Sequence, residues 1–198
     1  MQKSASPQAP LTGIIRQLRP SDLPRFREHL LRLDTESRRD RFNGFADDSF
    51  VTAYADRCFA KGTTVIGYVE DDRVLGAAEL HERPEIDEPT GEIAFSVERE
   101  LQHRSIGGSL FERLIANARW LGYMRLLVTT HPQNQAMKAL ARKFNASLSF
   151  DAGETVGVIE LDPPAPVFSK AASSPFVMTR GARAGAPALP PSVAFMHS

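Results

Sequence analysis

The segment 102–109, with the sequence QHRSIGGS, joins a predicted strand to a predicted helix and has the residue types of an anion-binding turn. The first backbone N–H groups of a helix have no partner within it, and the helix dipole adds about half a positive charge at that end. Small residues allow a ligand to approach the backbone closely, and here they are Ser105, Gly107, Gly108 and Ser109. The segment therefore predicts a site for a phosphate or diphosphate group.

Other interpretations of the glycine pair at 107–108 lead to different chemistry. The pair by itself also suits a tight strand-to-helix turn that binds nothing. No Gly-Lys-Ser/Thr follows it and Gly-x-Gly-x-x-Gly is absent, so the segment is neither a nucleotide P-loop nor a dinucleotide fingerprint. The strand and helix around it, together with the order Gln-x-Arg-x-Ile-Gly-x-x-Leu, favour the anion site.

Residues 102–107 resemble the acyl-CoA-binding signature of the GNAT N-acetyltransferases, Gln/Arg-x-x-Gly-x-Gly/Ala. The chain matches it at Gln102 and Gly107 and departs from it at Ser105, which replaces the first glycine. The resemblance extends over most of residues 13–161 in the order of elements, and it implies acetyl-CoA as the acyl-donor cosubstrate. The residues that it assigns to the coenzyme are Phe95, Ser96, Val97, Gln102, His103, Arg104, Ser105, Ile106, Gly107, Gly108, Ser109 and Asn134.

The reaction implied by the resemblance is direct attack of a primary amine, on a protein lysine or a small molecule, on the thioester in a ternary complex. A lysine-like amine has a pKa near ~10.4 and is almost entirely protonated at pH 7, so a general base is needed. Glu92, at the start of the strand before the signature, is the first candidate, and several relatives place a catalytic glutamate near there. Glu79 is the second and His81 the third, and these two share a strand face. A strand-end carboxylate without a catalytic role is the alternative for Glu92.

Other residues with reactive side chains provide weaker evidence for a catalytic role. Many GNAT enzymes place a tyrosine as general acid on the helix after the fifth strand, but the corresponding position here is Ala141. Asn134, just before that helix, also suits an N-cap. Cys58 is expected to be a buried structural residue rather than a nucleophile. The single cysteine and five histidines show no zinc-ligand spacing, so no metal site is expected.

The order of elements predicts an α+β, or mixed α/β, fold. Apolar or alternating runs predict strands at 13–18, 63–70, 73–81, 91–97, 125–130, 147–150 and 155–161. Helical spacing predicts helices over 23–33, 37–42, a stretch beginning at 47 or 48, 109–121 and the residues after Asn134. The resemblance implies a mostly antiparallel sheet, flanked by helices, that splays between the parallel central strands 91–97 and 125–130 and holds the pantetheine arm in the gap.

The Arg-rich segment 33–45, LDTESRRDRFNGF, allows two interpretations. It resembles a Leu-x-x-Glu-Ser-x-x-x-Arg-Phe segment in the GNAT domains of bacterial protein-lysine acetyltransferases. The matching residues are Leu33, Glu36, Ser37, Arg41 and Phe42. The alternative is a solvated basic face with its two last phenylalanines, Phe42 and Phe45, packed in the core.

Composition limits the class of protein. The chain has 198 residues with 24 basic and 24 acidic side chains, and this neutral balance argues against bulk electrostatic binding to nucleic acid or a membrane. One domain at 13–162 is expected, between a disordered lead at 1–12 and a disordered Pro/Ala-rich tail at 163–198. The chain shows no signal-peptide pattern and no apolar run long enough for a membrane span, so a cytoplasmic protein is expected. The sequence leaves a homodimer open.

Functions from two other classes stand as alternatives. A non-catalytic acyl-CoA-binding regulatory module would share the anion site, and the serine at 105 and the missing tyrosine favour it. A basic nucleic-acid-binding protein would depend on Arg38, Arg39 and Arg41, and the neutral overall charge counts against it. Turnover with an amine acceptor, rather than acetyl-CoA binding alone, separates an N-acetyltransferase from the regulatory module.

Overall fold

The computed structural model of this protein describes residues 10–162, so the predicted tail at 163–198 and residues 1–9 of the predicted lead lie outside it. The described residues form an α+β fold in which one seven-stranded sheet carries helices on both faces. Its strands are β1 (Ile14–Gln17), β2 (Thr63–Glu70), β3 (Arg73–Glu82), β4 (Thr90–Val97), β5 (Arg125–Thr130), β6 (Ser147–Asp151) and β7 (Glu154–Glu160). Its helices are α1 (Leu23–Arg32), α2 (Thr35–Phe42), α3 (Asp48–Arg57), α4 (Ile106–Trp120) and α5 (Gln135–Lys143).

The sheet has the order β1-β2-β3-β4-β5-β7-β6, and each neighbouring pair is antiparallel except β4 with β5. The parallel pairing covers only three positions, from Thr90 opposite Arg125 to Glu92 opposite Leu127. Beyond these positions the two strands separate. The predicted mixed, mostly antiparallel sheet that splays between its parallel central strands is therefore confirmed.

The two faces of the sheet pack against different helices. On one face Phe111 of α4 stacks between Phe95 of β4, at 4.6 Å between ring centroids, and Phe144 next to α5, at 4.3 Å. On the other face α1 and α3 supply fully buried side chains, among them Phe26 and Val51. Because the aromatic stack joins β4 to α4, the end of that strand keeps a fixed position relative to the helix.

Helix α4 begins at Ile106, earlier than the predicted start at 109. Glycine lowers helix propensity, and the apolar spacing therefore indicated a start after the glycine pair. The pair instead lies in the first turn, where α5 approaches closely. A Cβ on Gly107 would lie 3.6 Å from Leu140, and one on Gly108 would lie 3.4 Å from Nζ of Lys143.

The solvated-face interpretation of segment 33–45 is wrong in two respects. Phe45 is 86% exposed, because the chain turns outward after α2 and leaves its ring in solvent. Arg41, which that interpretation placed in solvent, is buried and forms an ion pair with Glu79. Phe42 does pack against the core, with its ring 5.2 Å from that of Tyr54.

Within residues 10–162, each helix falls short of the length and apolar character that crossing a bilayer requires.

Candidate active site

A cleft of about 500 Å³ lies beside the point where β4 and β5 separate. Its walls are formed by α2, the end of β4, the following turn and the start of α5. The predicted coenzyme residues that line it are Phe95, Ser96, Val97, Gln102, His103, Ser105, Ile106, Gly107 and Asn134. The other three predicted coenzyme residues, Arg104, Gly108 and Ser109, are not part of its lining.

The turn before α4 presents backbone N–H groups at this cleft. The first intrahelical bond of α4 runs from the Ser109 N–H to the Ser105 carbonyl at 3.1 Å, so the N–H groups of residues 106–108 have no partner within the helix. Ser105 itself has a φ of 65°, in the left-handed region that glycine adopts without strain. The family signature has glycine at this position, and the backbone conformation gives the physical reason.

Side-chain hydrogen bonds fix the start of this turn and the start of α5 on the opposite wall of the cleft. The Gln102 amide donates hydrogen bonds to the Val97 carbonyl at 3.1 Å and to Ser37 Oγ at 3.2 Å, which ties the turn to β4 and α2. Asn134 caps α5 by accepting a hydrogen bond from the Met137 N–H at 2.9 Å, the N-cap role foreseen for it. The turn is thus held in place independently of any ligand.

Positive charge near the turn adds to the helix dipole. The Lys143 ammonium lies 3.4 Å from the place where a Cβ of Gly108 would be, beside the first turn of α4. Lys143 was not selected in the sequence analysis, and it is one of the basic residues in the last turn of α5. Free amides, small residues and a nearby ammonium are what an anionic, elongated ligand requires, so the residues present fit the diphosphate of a coenzyme.

The three predicted base candidates lie together on one sheet face, but none is among the residues that line the cleft. Glu92 stands opposite His81 in the β3–β4 register, and its carboxylate pairs with Arg83 at 2.5 Å. The Glu92 side chain is 14% exposed, whereas that of Glu79 is completely buried. Glu92 is therefore the more accessible of the two carboxylates.

Glu79 is the centre of a buried polar group that we call the Glu79 cluster, formed by Arg41, Tyr54, Cys58, Glu79 and His81. The carboxylate accepts hydrogen bonds from Arg41 at 2.7 Å and from the Tyr54 hydroxyl at 2.6 Å, and His81 Nε2 lies 3.2 Å away. Burial alone would raise the pKa of Glu79, but the Arg41 charge and the hydrogen bonds outweigh it and hold the pKa well below its usual value. Glu79 is therefore a firmly ionised partner and a weak base.

Three side chains of this cluster also have the spacing of metal ligands, since atoms of Cys58, Glu79 and His81 lie within 4.8 Å of one another. Two observations count against a cation there. The Arg41 guanidinium already neutralises Glu79, and burial raises the pKa of the Cys58 thiol well above its usual range. The cluster is therefore interpreted as an ion-pair network.

A second polar group, which we call the His29 cluster, consists of His29, Arg32, Ser96 and Glu98. His29 Nε2 lies 2.8 Å from Ser96 Oγ, and Nδ1 lies 3.2 Å from Oε1 of Glu98, which also accepts from Arg32 at 2.8 Å. The His29 side chain is completely buried, and Ser96 lines the cleft. The sequence analysis missed His29, although it lies next to Leu30 on the buried side of α1.

Comparison with solved structures relates this architecture to known folds. The GNAT domain of the S. lividans PAT protein aligns with a TM-score of 0.68 and 18% identity, over 75% of this chain and 90% of that one. The yncA protein of Salmonella typhimurium, solved with its cofactor acetyl-CoA, aligns with a TM-score of 0.61 and 21% identity, over 80% and 99%. The paia N-acetyltransferase of Thermoplasma acidophilum, in complex with coenzyme A, aligns with a TM-score of 0.58 and 17% identity, over 76% and 99%. At these identities the likeness shows the fold.

A search of curated protein sequences finds no match. A model of the acetyltransferase (GNAT) family, however, matches residues 27–146, more than half of the 198-residue chain. The matched residues include the cleft-lining turn and both polar clusters. The chain therefore belongs to the GNAT acetyltransferase family.

Proposed function

We propose that this protein transfers an acetyl group from acetyl-CoA to a primary amine, of a protein lysine or a small molecule, by direct attack in a ternary complex. The proposal depends mainly on the helix-end N–H groups at residues 106–108, which lie beside a cleft near the point where β4 and β5 separate. The complexes of the yncA protein with acetyl-CoA and of the paia N-acetyltransferase with coenzyme A support the choice of donor.

The coenzyme would bind with its diphosphate at the start of α4 and its arm between the two central strands. The residues proposed to hold it are those that the sequence selected, with Lys143 as an added counter-charge for a phosphate. The backbone N–H groups at the end of β4, near residues 96–97, would donate to the thioester carbonyl oxygen as it gains charge.

The reaction requires the protein to remove protons from the acceptor amine. An acceptor that arrives as an ammonium ion loses one proton to become nucleophilic and a second after the C–N bond forms. At pH 7 only about one part in a thousand of a lysine-like amine is neutral. We assign the first proton to Glu92, the more accessible of the two predicted carboxylates. Glu79, held by Arg41, and His81 remain second and third candidates.

The activity is tested by measuring free CoA thiol from acetyl-CoA, with and without lysine peptides, polyamines and aminoglycosides. Release that requires an amine is the expected result. Release in the absence of an amine, or none with any acceptor, contradicts the proposal. Acetyl-CoA binding by calorimetry without turnover would instead identify a non-catalytic acyl-CoA-binding module.

The role of Glu92 is tested with Glu92→Gln. We expect kcat at neutral pH to fall by about 10²-fold or more, the usual contribution of a general base, and the loss to shrink at higher pH as more acceptor becomes neutral. Glu160→Gln is the matched control, because Glu160 also pairs with an arginine, at 2.9 Å, but lies on β7, two strands away from β4. Equal kcat values for the two variants would remove Glu92 from this role.

A further inference from the structure

A hydroxyl in the cleft wall is connected in series to a buried imidazole and a carboxylate behind it. Ser96 Oγ contacts His29 Nε2 at 2.8 Å, and the other ring nitrogen contacts Glu98 Oε1 at 3.2 Å. This is the geometry by which enzymes connect a hydroxyl to a base that a third group orients. No catalytic role was predicted for any of these three residues from the sequence.

The hydrogen-bond partners determine which ring nitrogen carries the proton. A carboxylate can only accept, so His29 Nδ1 carries the hydrogen and donates it to Glu98. Burial lowers the pKa of His29, although the hydrogen bond and charge of Glu98 oppose this, so the ring is neutral at physiological pH. His29 Nε2 therefore has a free lone pair and accepts the hydrogen bond that the Ser96 hydroxyl donates.

The charges around the ring are arranged for a transient positive charge. Glu98 faces Nδ1 from the end of β4, and Arg32 of α1 neutralises its outer side at 2.8 Å. Glu79, farther away on β3, also favours the protonated ring, whereas Arg32 disfavours it. The ring is thus buried and neutral at rest, with a carboxylate in contact that stabilises the imidazolium if a proton arrives.

We propose that Ser96 and His29 form a proton relay that removes the second proton from the acceptor nitrogen, and that Glu98 is the positioning residue of this relay. The proposal deepens the proposed function and rests on it. Ser96 is suited to the task because it lines the cleft while its hydroxyl contacts His29.

The relay conserves atoms and electrons. The amine lone pair forms the C–N bond, and the nitrogen, now positively charged, donates its proton to Ser96 Oγ as the hydroxyl passes its own proton to His29 Nε2. The C–S bond breaks with its electron pair on sulfur. The imidazolium returns its proton through the same hydroxyl to the departing thiolate, whose thiol pKa of about 8.5 exceeds that of imidazole. The products are an amide and a thiol, and the relay is restored.

Separate groups for the two protons agree with the spacing along β4. Ser96 and Glu92 are on the same face, four residues apart, which corresponds to about 13 Å of extended strand. A single side chain cannot contact a nitrogen at both places. Glu92 would therefore act where the acceptor enters, and Ser96 where the C–N bond forms.

The test compares Ser96→Ala and His29→Gln with the wild type in steady-state turnover and in acetyl-CoA binding by calorimetry. Both variants are expected to lose about 10²-fold in kcat. Both should retain acetyl-CoA affinity, because Ser96→Ala leaves unchanged the backbone at residue 96 through which the coenzyme would be contacted. Thr90→Val is the matched control, since Thr90 is also a buried hydroxyl of β4, with a single hydrogen bond at 2.9 Å to the Glu88 carbonyl. If His29→Gln fails to fold, Ser96→Ala still tests the relay, because it leaves the imidazole in place.

The pH dependence of kcat distinguishes a relay from a structural role. Wild-type kcat should fall once the pH drops below the pKa of His29, which burial places below the ordinary imidazole value of about 6.5. His29→Gln should lose this acid limb. Glu98→Gln should move it to lower pH, because the Glu98 charge raises the pKa of His29.

Each outcome decides the proposal. Losses in kcat confined to Ser96→Ala and His29→Gln, with the predicted shift for Glu98→Gln, support the relay. If the wild type is active and both Ser96→Ala and His29→Gln keep its kcat, the relay is overturned and the proposed function stands. An acetyl group found on Ser96 by mass spectrometry, after incubation with acetyl-CoA, also overturns it, because the oxygen would then be the nucleophile. Absence of turnover in the wild type overturns the proposed function and the relay with it.

Discussion

The Glu79 cluster and the His29 cluster occupy the same face of the sheet and are both buried, yet they differ in charge at rest. In the Glu79 cluster a complete charge pair, Arg41 with Glu79 at 2.7 Å, is enclosed. In the His29 cluster the innermost group is a neutral ring, in contact with a serine of the cleft wall. In a buried ion pair the proton stays on the cation and the carboxylate stays ionised. A buried neutral imidazole can still accept a proton. The first arrangement serves the fold, and the second suits chemistry.

The largest expected effect that tests this contrast is on stability, with Arg41→Met. The substitution leaves the Glu79 carboxylate buried without its counter-charge, which should cost about 3–5 kcal/mol of unfolding free energy. Urea denaturation measures the loss. Arg125→Met is the control, because Arg125 pairs with Glu160 at the surface and such pairs contribute about 0–1 kcal/mol. Equal losses in the two variants would show that the buried Glu79 carboxylate does not need Arg41 as its counter-charge. The proposed difference between the two clusters would then be wrong.

A smaller effect is expected from removing one hydroxyl from each cluster. Tyr54 donates to the charged Glu79 at 2.6 Å, and Tyr54→Phe should cost about 1.5–3 kcal/mol, as is usual for hydrogen bonds to charged groups. Ser96 donates to a neutral ring, and Ser96→Ala should cost about 1 kcal/mol. Thermal and urea unfolding of both variants provide the comparison. A larger stability loss for Ser96→Ala would contradict the assigned roles.

The smallest effect is a change in how stability depends on pH. Because the folded-state pKa of His29 is lowered, the unfolded state binds a proton below its pKa of about 6.5 while the folded state does not. Stability should therefore decrease as the pH falls from about 6.5 to 5, by up to about 1.4 kcal/mol per pH unit.

His29→Gln should remove that slope and leave the acid-induced loss at lower pH. Glu79, with its lowered pKa, contributes stability that is present above the ordinary glutamate pKa of about 4.3 and disappears as the pH falls below it. Urea midpoints measured at intervals across both windows check this. A slope between pH 5 and 6.5 that survives in His29→Gln would show that other groups cause it.

Local sequence patterns predicted the elements and the turn, because strand alternation, helical spacing and small residues act over a few positions. The strand at 125–130 has the predicted bounds, and the first hairpin is matched to within a residue. The start of α4 was missed, because glycine lowers helix propensity and the apolar helical spacing begins only after the glycine pair. One interpretation placed Phe45 in the core although it is exposed. The residue type near a helix end does not indicate the direction in which the chain continues.

The polar clusters could not be predicted because their partners are distant in sequence. Arg41 and Glu79 are 38 residues apart, and His29 and Ser96 are 67 apart. Register decides which strand residues face α1 and α2, and register follows from the assembled sheet rather than from any one strand. The placing of His29 beside Leu30 on an apolar helix face was the one local signal, and it indicated burial without naming a partner.

The short parallel pairing of β4 with β5 gives this sheet an interior edge. Where the strands part after Glu92 and Leu127, the facing backbone groups of the two strands no longer bond to each other, as at the outer border of an ordinary sheet. An extended ligand with alternating amide donors and acceptors can lie along such a border as an additional strand would. The protein without ligand should therefore unfold at a lower temperature and self-associate more readily than the occupied one, since whatever fills the opening binds only the folded state.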